Sequence, residues 1–492
     1  MQGFEYSIIF VIYFLIVFMI GYMASRKTHD TEDFVLGGRK LGRWIVALGA
    51  GASDMSGWLM LGLPGGVYLL GLSQIWMPIG LIMGAWINWL VVAKRLRIYT
   101  QQANNSLTIP SFFENRFHDE SGLLRLATSI AVVTFFTIYV SAGFVSGAVL
   151  FQSTFGLSYH MALGIGAAVI ISYTCLGGFL AVNWIDLFQG CLMWCALMVV
   201  PAMTFWALHG SHGTQGALSS LSELWSHFFQ HSTATWVRIL SLLAWGFGYF
   251  GQPHILVRFM AAKDPKQIRQ STWICMSWMI LSLVGAVLTG LFGSWYFSAR
   301  PLANPESVFL LLSQALFNPF FAGILLAAVL SAVMSTIAAQ LLASSSSLIE
   351  DLYARFIQKE TSGKQGILFN RIAVLLIAGV SLYFAHDPNS RVLSLVSYAW
   401  AGLGASFGPL VLMSLFWKRT TRNGAIAGII VGGLTVILWK HYVFLGGVFA
   451  FYELLPAFIF SMLSIFIVSL LDNPPKQPVI AEFERVQALN KA

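Results

Sequence analysis

Asp54, in the run Ala-Ser-Asp-Met-Ser-Gly, is the one charge in an apolar stretch from Trp44 to Leu70. A carboxylate at the centre of a membrane helix costs roughly 2.5–3.5 kcal/mol on insertion scales, so one that persists usually faces a cavity, an ion or a partner. Gly49 and Gly51 precede it, and Gly57, Gly62, Pro64, Gly65 and Gly66 follow, all weak helix formers. A charge on an easily broken helix at membrane depth is how an ion or solute site is built. The competing reading is a carboxylate protonated or paired to another helix for packing.

Two further stretches carry chemistry. In Ala327–Thr336, Ser331 and Ser335 lie four apart, as do Ala332 and Thr336, so each pair stacks along one helical face. Hydroxyls and unwound carbonyls suit a hard cation, but small residues and back-bonded hydroxyls equally suit helix packing. The run Ser344–Ser347 invites the packing reading more strongly. Trp245 to His254 reads Trp-Gly-Phe-Gly-Tyr-Phe-Gly-Gln-Pro-His, a poor continuous helix with three Gly and one Pro. Trp245 and Tyr249 share a face there, and Tyr139 offers a third aromatic ring with a polar tip. His254 and Arg258 read as loop anchors. Asp186, the only charge between Arg125 and Glu223, is expected in a short loop before the sixth span. There it could help an ion leave or cap the next helix.

These residues need a membrane to sit in. The 492 residues are 57% hydrophobic and 10% charged, with mean hydropathy +0.74, where a soluble domain carries about 25% charged residues. Runs that can cross about 30 Å of hydrocarbon fall at 6–25, 44–70, 73–93, 126–153, 159–180, 187–208, 236–257, 272–297, 319–349, 370–386, 392–417, 424–443 and 449–471. The expectation is an all-α polytopic membrane protein with about thirteen spans. Arg26 and Lys27 follow the first run, the reverse of a signal peptide's charge order, so it reads as a retained span.

Connections after odd-numbered spans hold 20 Lys and Arg against 2 after even-numbered ones. This places the odd connections and the C-terminus in the cytoplasm and the N-terminus outside. The net charge of +8 is this bias, and no nucleic-acid partner is expected. The tail from Asp472, opening with Pro474 and Pro475, reads as a mobile cytoplasmic segment. Cys175, Cys191, Cys195 and Cys275 lie in apolar runs and act as small hydrophobes. No nucleophile elbow, Walker loop or His-Glu-x-x-His is present, so no enzyme activity and no cofactor are implied. The breaks in spans 2 and 7 lie five spans apart and so run in opposite senses, which points to inverted repeats with a site at the midplane.

Gly51–Trp58 with Gly62–Gly66, Trp245–Phe259, and Met334–Gln340 with Glu350–Tyr353 resemble the sodium:solute symporter family, specifically its proline-transporting branch. A family signature, Gly-Gly-x-x-Ala-Val-x-x-Thr-Asp-x-x-Gln, is matched by Gly177 to Gln189, with Ile185 in place of the usual Thr and Asp186 kept. The resemblance implies a LeuT-type core of two inverted five-helix repeats. The chain then divides into 1–43, a first repeat at 44–208, a second at 209–417, two further spans at 418–471 and the tail 472–492. It implies sodium-coupled uptake of L-proline across the plasma membrane of a bacterium (the inner membrane of a Gram-negative one), with lipid as surroundings and no obligate protein partner. Sodium would be bound by the carbonyls of Ala52, Met55 and Ala332 and the hydroxyls of Ser335 and Thr336, with Asp54 nearby. Proline would be held near Ser56 and Gly57, walled by Tyr139, Trp245, Tyr249 and Pro253.

The alternatives are the same mechanism with another small carboxylate-bearing solute, and a membrane solute sensor. The short tail after Asp472, with no output domain, argues against the sensor.

Overall fold

The computed structural model describes residues 2–27, 31–176, 178–228, 233–357 and 364–491; Gly177 of the signature lies outside them. Among the described residues the chain is helical throughout, and the only extended pairing is an isolated bridge between Leu41 and Ala262. Helices occupy all thirteen expected positions. Span 1 is Gln2–Ser25, span 4 Leu123–Phe155, span 5 Tyr159–Leu176 and span 6 Phe179–Phe228, which runs well past the expected end at 208. Span 8 is Ile268–Tyr296, span 9 Pro319–Ser346, span 10 Lys364–Phe384, span 11 Val392–Phe416, span 12 Arg422–Tyr442 and span 13 Leu454–Leu471. Ten helical runs among the described residues are long and apolar enough to cross a bilayer, and Tyr159–Ser172 is a shorter apolar one. Spans 2 and 7 do not stand as separate runs because each is interrupted.

Span 2 ends its first half, Arg43–Asp54, at Met55, where φ −84° and ψ 73° leave the helical region. It resumes through a wide turn, Trp58–Gly62, into Leu63–Leu70 with Pro64 in the first turn. Span 7 is Thr233–Leu243, then a tight 3-10 stretch Ala244–Gly251, then Pro253–Met260. The tight stretch packs on span 3, which begins with Trp76–Ile87. A Cβ on Gly84 would overlap the Gly246 carbonyl, and one on Gly80 would overlap Leu243. Small residues here let two backbones touch, as membrane helices do when packing is their main attraction.

At the end of the bundle that carries the basic connections, polar groups knot the loops. Arg39 reaches Asn105 at 2.8 Å and the carbonyls of Met260 and Ser106 at 2.7 and 2.8 Å, joining three connections. Burial, with Arg97 nearby, draws its guanidinium down to about 10, so it stays cationic at neutral pH. Glu114, in the connecting helix Ile109–Arg116, pairs with Arg125 and Arg355, each at 2.8 Å. Asp351 pairs with Arg125 at 2.8 Å and accepts from Thr108 at 2.8 Å.

The tail is not the mobile segment expected. Gln477–Lys491 is a helix that buries Val479, Phe483 and Val486. Lys94 donates to the Asn490 carbonyl at 2.9 Å and Gln487 to the Leu415 carbonyl at 3.0 Å. Phe483 closes a three-ring cage with Tyr99 and Phe117 around the fully buried Arg116 guanidinium, at 5.0–5.2 Å. Cation–π contact replaces water around a charge taken out of it.

Candidate functional site

Where span 2 breaks, span 9 lies against it. The Ser335 hydroxyl is 2.9 Å from the Ala52 carbonyl and 3.2 Å from the Ala332 carbonyl. Thr336 is also buried, yet its hydroxyl has no hydrogen-bond partner. Ser344 back-bonds within its own helix, to the Gln340 carbonyl at 2.7 Å, as the packing reading expects. Ser331 back-bonds to the Ala327 carbonyl at 2.9 Å and also reaches the Tyr13 hydroxyl of span 1 at 3.1 Å. Ser335 differs in reaching a main-chain carbonyl at the break of span 2. The Ser335 hydroxyl and the carbonyls of Ala52 and Ala332 form a buried group of neutral oxygens such as a hard cation takes; Thr336 is the next residue on span 9, and Met55 follows on the unwound segment of span 2.

Asp54 ends the first half of span 2 and is 2% exposed. Its Oδ2 accepts from the Tyr249 hydroxyl at 2.5 Å, while Oδ1 has no partner. The carboxylate is thus tied to span 7 through one oxygen, leaving the other uncommitted in a buried place. Ser56 and Gly57 follow in the break, and a Cβ on Gly57 would collide with Ser146 of span 4 and press on Val333 of span 9. This close approach explains a glycine where three spans meet.

The tight stretch of span 7 presents its carbonyls sideways, and side chains from elsewhere satisfy them. Trp400 Nε1 donates to the Trp245 carbonyl at 2.8 Å, and Asn88 Nδ2 to the Tyr249 carbonyl at 3.0 Å. Buried backbone groups freed by a broken helix need such partners. The Trp245 ring lies among Trp58, Trp400 and Tyr452, with centroids at 6.4, 6.5 and 5.3 Å. Tyr249 meets Trp400 edge-on at 5.1 Å.

The predicted wall does not face one open cavity. Trp245 lines a cavity of about 360 Å³ with Gly66, Gln74, Glu306 and Tyr452. Pro253 lines a separate cavity of about 30 Å³ beside Arg258. Tyr139 is buried, near the Ser56 hydroxyl and edge-on to His254 at 6.3 Å. Trp245 and Pro253 therefore bracket the break, one toward each cavity.

Asp186 is placed differently from expectation. It lies inside the helix of span 6 rather than in a loop, is fully buried, and pairs with Arg258 at 2.9 Å. It caps nothing. Arg258 and His254 are equally buried, so neither is a loop anchor; Arg258 also donates to the His254 carbonyl. A buried ion pair is stable only when its charges satisfy each other, and sequence alone gave no sign of this partner. Trp58, Trp400, Asn88 and Tyr452 were also missed. They come from four different places in the chain, and nothing local distinguishes the three aromatics among 17 Trp and 15 Tyr.

The sodium:solute symporter family model matches residues 34–432. The chain is 50% identical over 472 residues to the high-affinity proline transporter PutP of Bacillus subtilis, covering 95% of this chain and 98% of that protein. It is 48% identical over 485 residues to the sodium/proline symporter of Escherichia coli K12, covering 97% of this chain and 95% of that protein. Among solved structures it resembles a substrate-bound, outward-open Na+-coupled sialic acid symporter, with TM-score 0.80 at 18% identity, over 97% of this chain and 100% of the other. A nucleobase-cation-symport-1 family transporter, MHP1, superposes with TM-score 0.56 at 13% identity, over 94% of this chain and 99% of the other. The fold is accordingly LeuT-type, and the chain belongs to the sodium:solute symporter family.

Proposed function

We propose that the chain is a secondary active transporter, and not an enzyme, that couples inward sodium movement to L-proline uptake by alternating access. The observation that carries the sodium reading is the buried junction of Ser335 with the Ala52 carbonyl beside the unpartnered Thr336 hydroxyl. The proline reading draws its support from relatives of that name matched over nearly their whole length. Sodium binds the carbonyls of Ala52, Met55 and Ala332 and the hydroxyls of Ser335 and Thr336. Asp54 supplies negative charge next to that group without taking a place in it. Since spans 2 and 9 both contribute ligands, the ion joins them, and its presence sets the shape of the break in which the solute sits.

Proline takes the break itself. Its carboxylate suits backbone N–H groups near Ser56 and Gly57 and its secondary ammonium suits freed carbonyls, as at other half-helix sites. Its ring lies on aromatic faces, with Trp245 toward one cavity, Pro253 toward the other, and Tyr139 and Tyr249 at the sides. Tyr249 also holds Asp54, so solute wall and ion site share a residue. On the far side the Asp186–Arg258 pair marks the way out for the ion.

The two repeats comprise residues 44–208 and 209–417. The protein is a multi-pass protein of the bacterial plasma membrane with its N-terminus outside and its C-terminus in the cytoplasm, as the basic connections favour. Each sodium moved down 100 mV supplies about 2.3 kcal/mol, enough to drive accumulation without ATP. The test is uptake of labelled proline into proteoliposomes. Accumulation is expected only with an inward sodium gradient, and competition by other small carboxylates defines the solute. Uptake indifferent to sodium would overturn the coupling.

A further inference from the structure

Trp245, the ring assigned above to the solute, is held from outside by a residue that none of the site motifs contains. Tyr452 lies in the connection between spans 12 and 13, beyond the ten helices of the two repeats. Its ring stacks on Trp245 at 5.3 Å and 19°. Its hydroxyl donates to the Ser397 carbonyl at 2.6 Å, and its backbone N–H donates to the Ser241 hydroxyl at 3.0 Å.

These contacts converge on Trp245. Ser241 stands one turn before Trp245 on span 7, and Ser397 one turn before Trp400 on span 11. Trp400 in turn holds the Trp245 carbonyl. The connection is itself anchored: Trp439 Nε1 donates to the Phe451 carbonyl at 3.1 Å, and Lys440 lies 3.8 Å from the Glu453 carboxylate. Gly446 and Gly447, at φ +65° and +57°, allow the turn that brings the chain back toward span 7. Tyr452 and Trp245 line the same cavity of about 360 Å³.

We infer that Tyr452 is a positioning residue for the solute: it fixes the Trp245 ring and the backbone that carries it, and so sets solute affinity without touching the sodium ligands. This rests on the reading of Trp245 as part of the solute wall. Stacked aromatic pairs hold a ring in one pose more strongly than area burial alone, and a Trp free to rotate would present its face to the solute only part of the time.

The test measures proline KM, Vmax and sodium half-saturation in proteoliposomes for Trp245→Ala, Tyr452→Leu, Tyr452→Phe and the double variant Trp245→Ala with Tyr452→Leu. Tyr452→Leu keeps apolar bulk but removes the ring, and should raise proline KM about three- to tenfold, the size of one lost aromatic pair. Vmax and sodium half-saturation should stay within about twofold on that same pairwise scale. Tyr452→Phe keeps the stack and should stay close to the parent. In the Trp245→Ala background, Tyr452→Leu should add nothing further to KM, because residues acting through one another are not additive. If Trp245→Ala raises KM but Tyr452→Leu does not, or if the two changes simply add, the positioning role is overturned while the solute wall stands. If Trp245→Ala leaves KM unchanged, the wall itself is wrong. Should Tyr452→Leu not accumulate, Tyr452→Met fills the same space and carries the same expectations.

Discussion

Thr336→Val replaces a hydroxyl by a methyl of similar shape at a fully buried place, so it removes chemistry with little change in packing. In this structure the Thr336 hydroxyl is a buried polar group with no partner, which costs about 1–3 kcal/mol relative to a satisfied one. Removing it should leave the sodium-free protein as stable as the parent, or more stable by on the order of 1 kcal/mol. If the hydroxyl is a sodium ligand, the variant loses one charge-assisted contact worth about 1.5–3 kcal/mol. At 1.4 kcal/mol per factor of ten, sodium half-saturation should rise about 10- to 100-fold. The two effects have opposite signs, which separates a ligand from a scaffold hydroxyl. Sodium titration of proline uptake reads the first, and thermal unfolding with and without sodium reads the second, since a ligand stabilises only the state that binds it. Unchanged half-saturation together with an undiminished sodium-induced thermal shift would remove Thr336 from the ion site. A loss of sodium-free stability would refute the claim that its hydroxyl is unpaired.

Ser335→Ala should raise sodium half-saturation too, but with lower sodium-free stability, because it breaks the 2.9 Å bond to the Ala52 carbonyl; equal stability would count against that bond. Asp54→Asn keeps an oxygen for the Tyr249 hydroxyl and loses the charge, so the protein should insert normally and lose sodium-driven uptake; ordinary sodium dependence at matched amounts would exclude the charge. Gly84→Val should drive a branched side chain into the Gly246 carbonyl and lower the melting temperature by an overpacking cost of about 1–3 kcal/mol or more; an unchanged melting curve would show that spans 3 and 7 are not in backbone contact. Burial alone would raise the Asp119 carboxyl, but the Ser121 hydroxyl, the Leu124 N–H, Arg422 and the Ser121 N–H hold it below the usual carboxylate range. Its contribution to stability is therefore present above about pH 4 and lost as pH falls below it. Melting temperatures of parent and Asp119→Asn should differ at pH 7 and draw together as pH falls below the ordinary carboxylate range, and a gap of constant size across the whole acid titration would contradict this.

Much of the candidate site was legible because its signals are local. Asp54 among glycines, the three glycines and proline after Trp245, and Ser335 beside Thr336 each depart from what a plain membrane helix needs, and each stands where two or more spans meet. Where the reading failed, the determining contact lay far away in sequence. Asp186 and Arg258 each looked like ordinary charges near span ends; only their approach across 72 positions makes them a buried pair. The tail carried its own signal, since Val479, Phe483 and Val486 recur at helical spacing, but Pro474, Pro475 and mixed charge masked it. The tight stretch of span 7 was recognised as broken, whereas its 3-10 form depends on Asn88 and Trp400 taking its carbonyls, which no local pattern encodes.

The cage around Arg116 also bears on how the chain is made. Tyr99 and Phe117 leave the ribosome together with Arg116, but the third ring, Phe483, follows about 370 residues later, which at roughly 5–20 residues per second is about 20 to 70 s of synthesis. Throughout that interval the arginine can keep its water, because the surface that displaces it has not been translated. The tail helix can dock only once spans 3 and 11 stand side by side, and hence after membrane insertion of the spans before it. Closure of the cage is thus a late event in biogenesis, and a chain in which Arg116 is still hydrated is one whose assembly is unfinished.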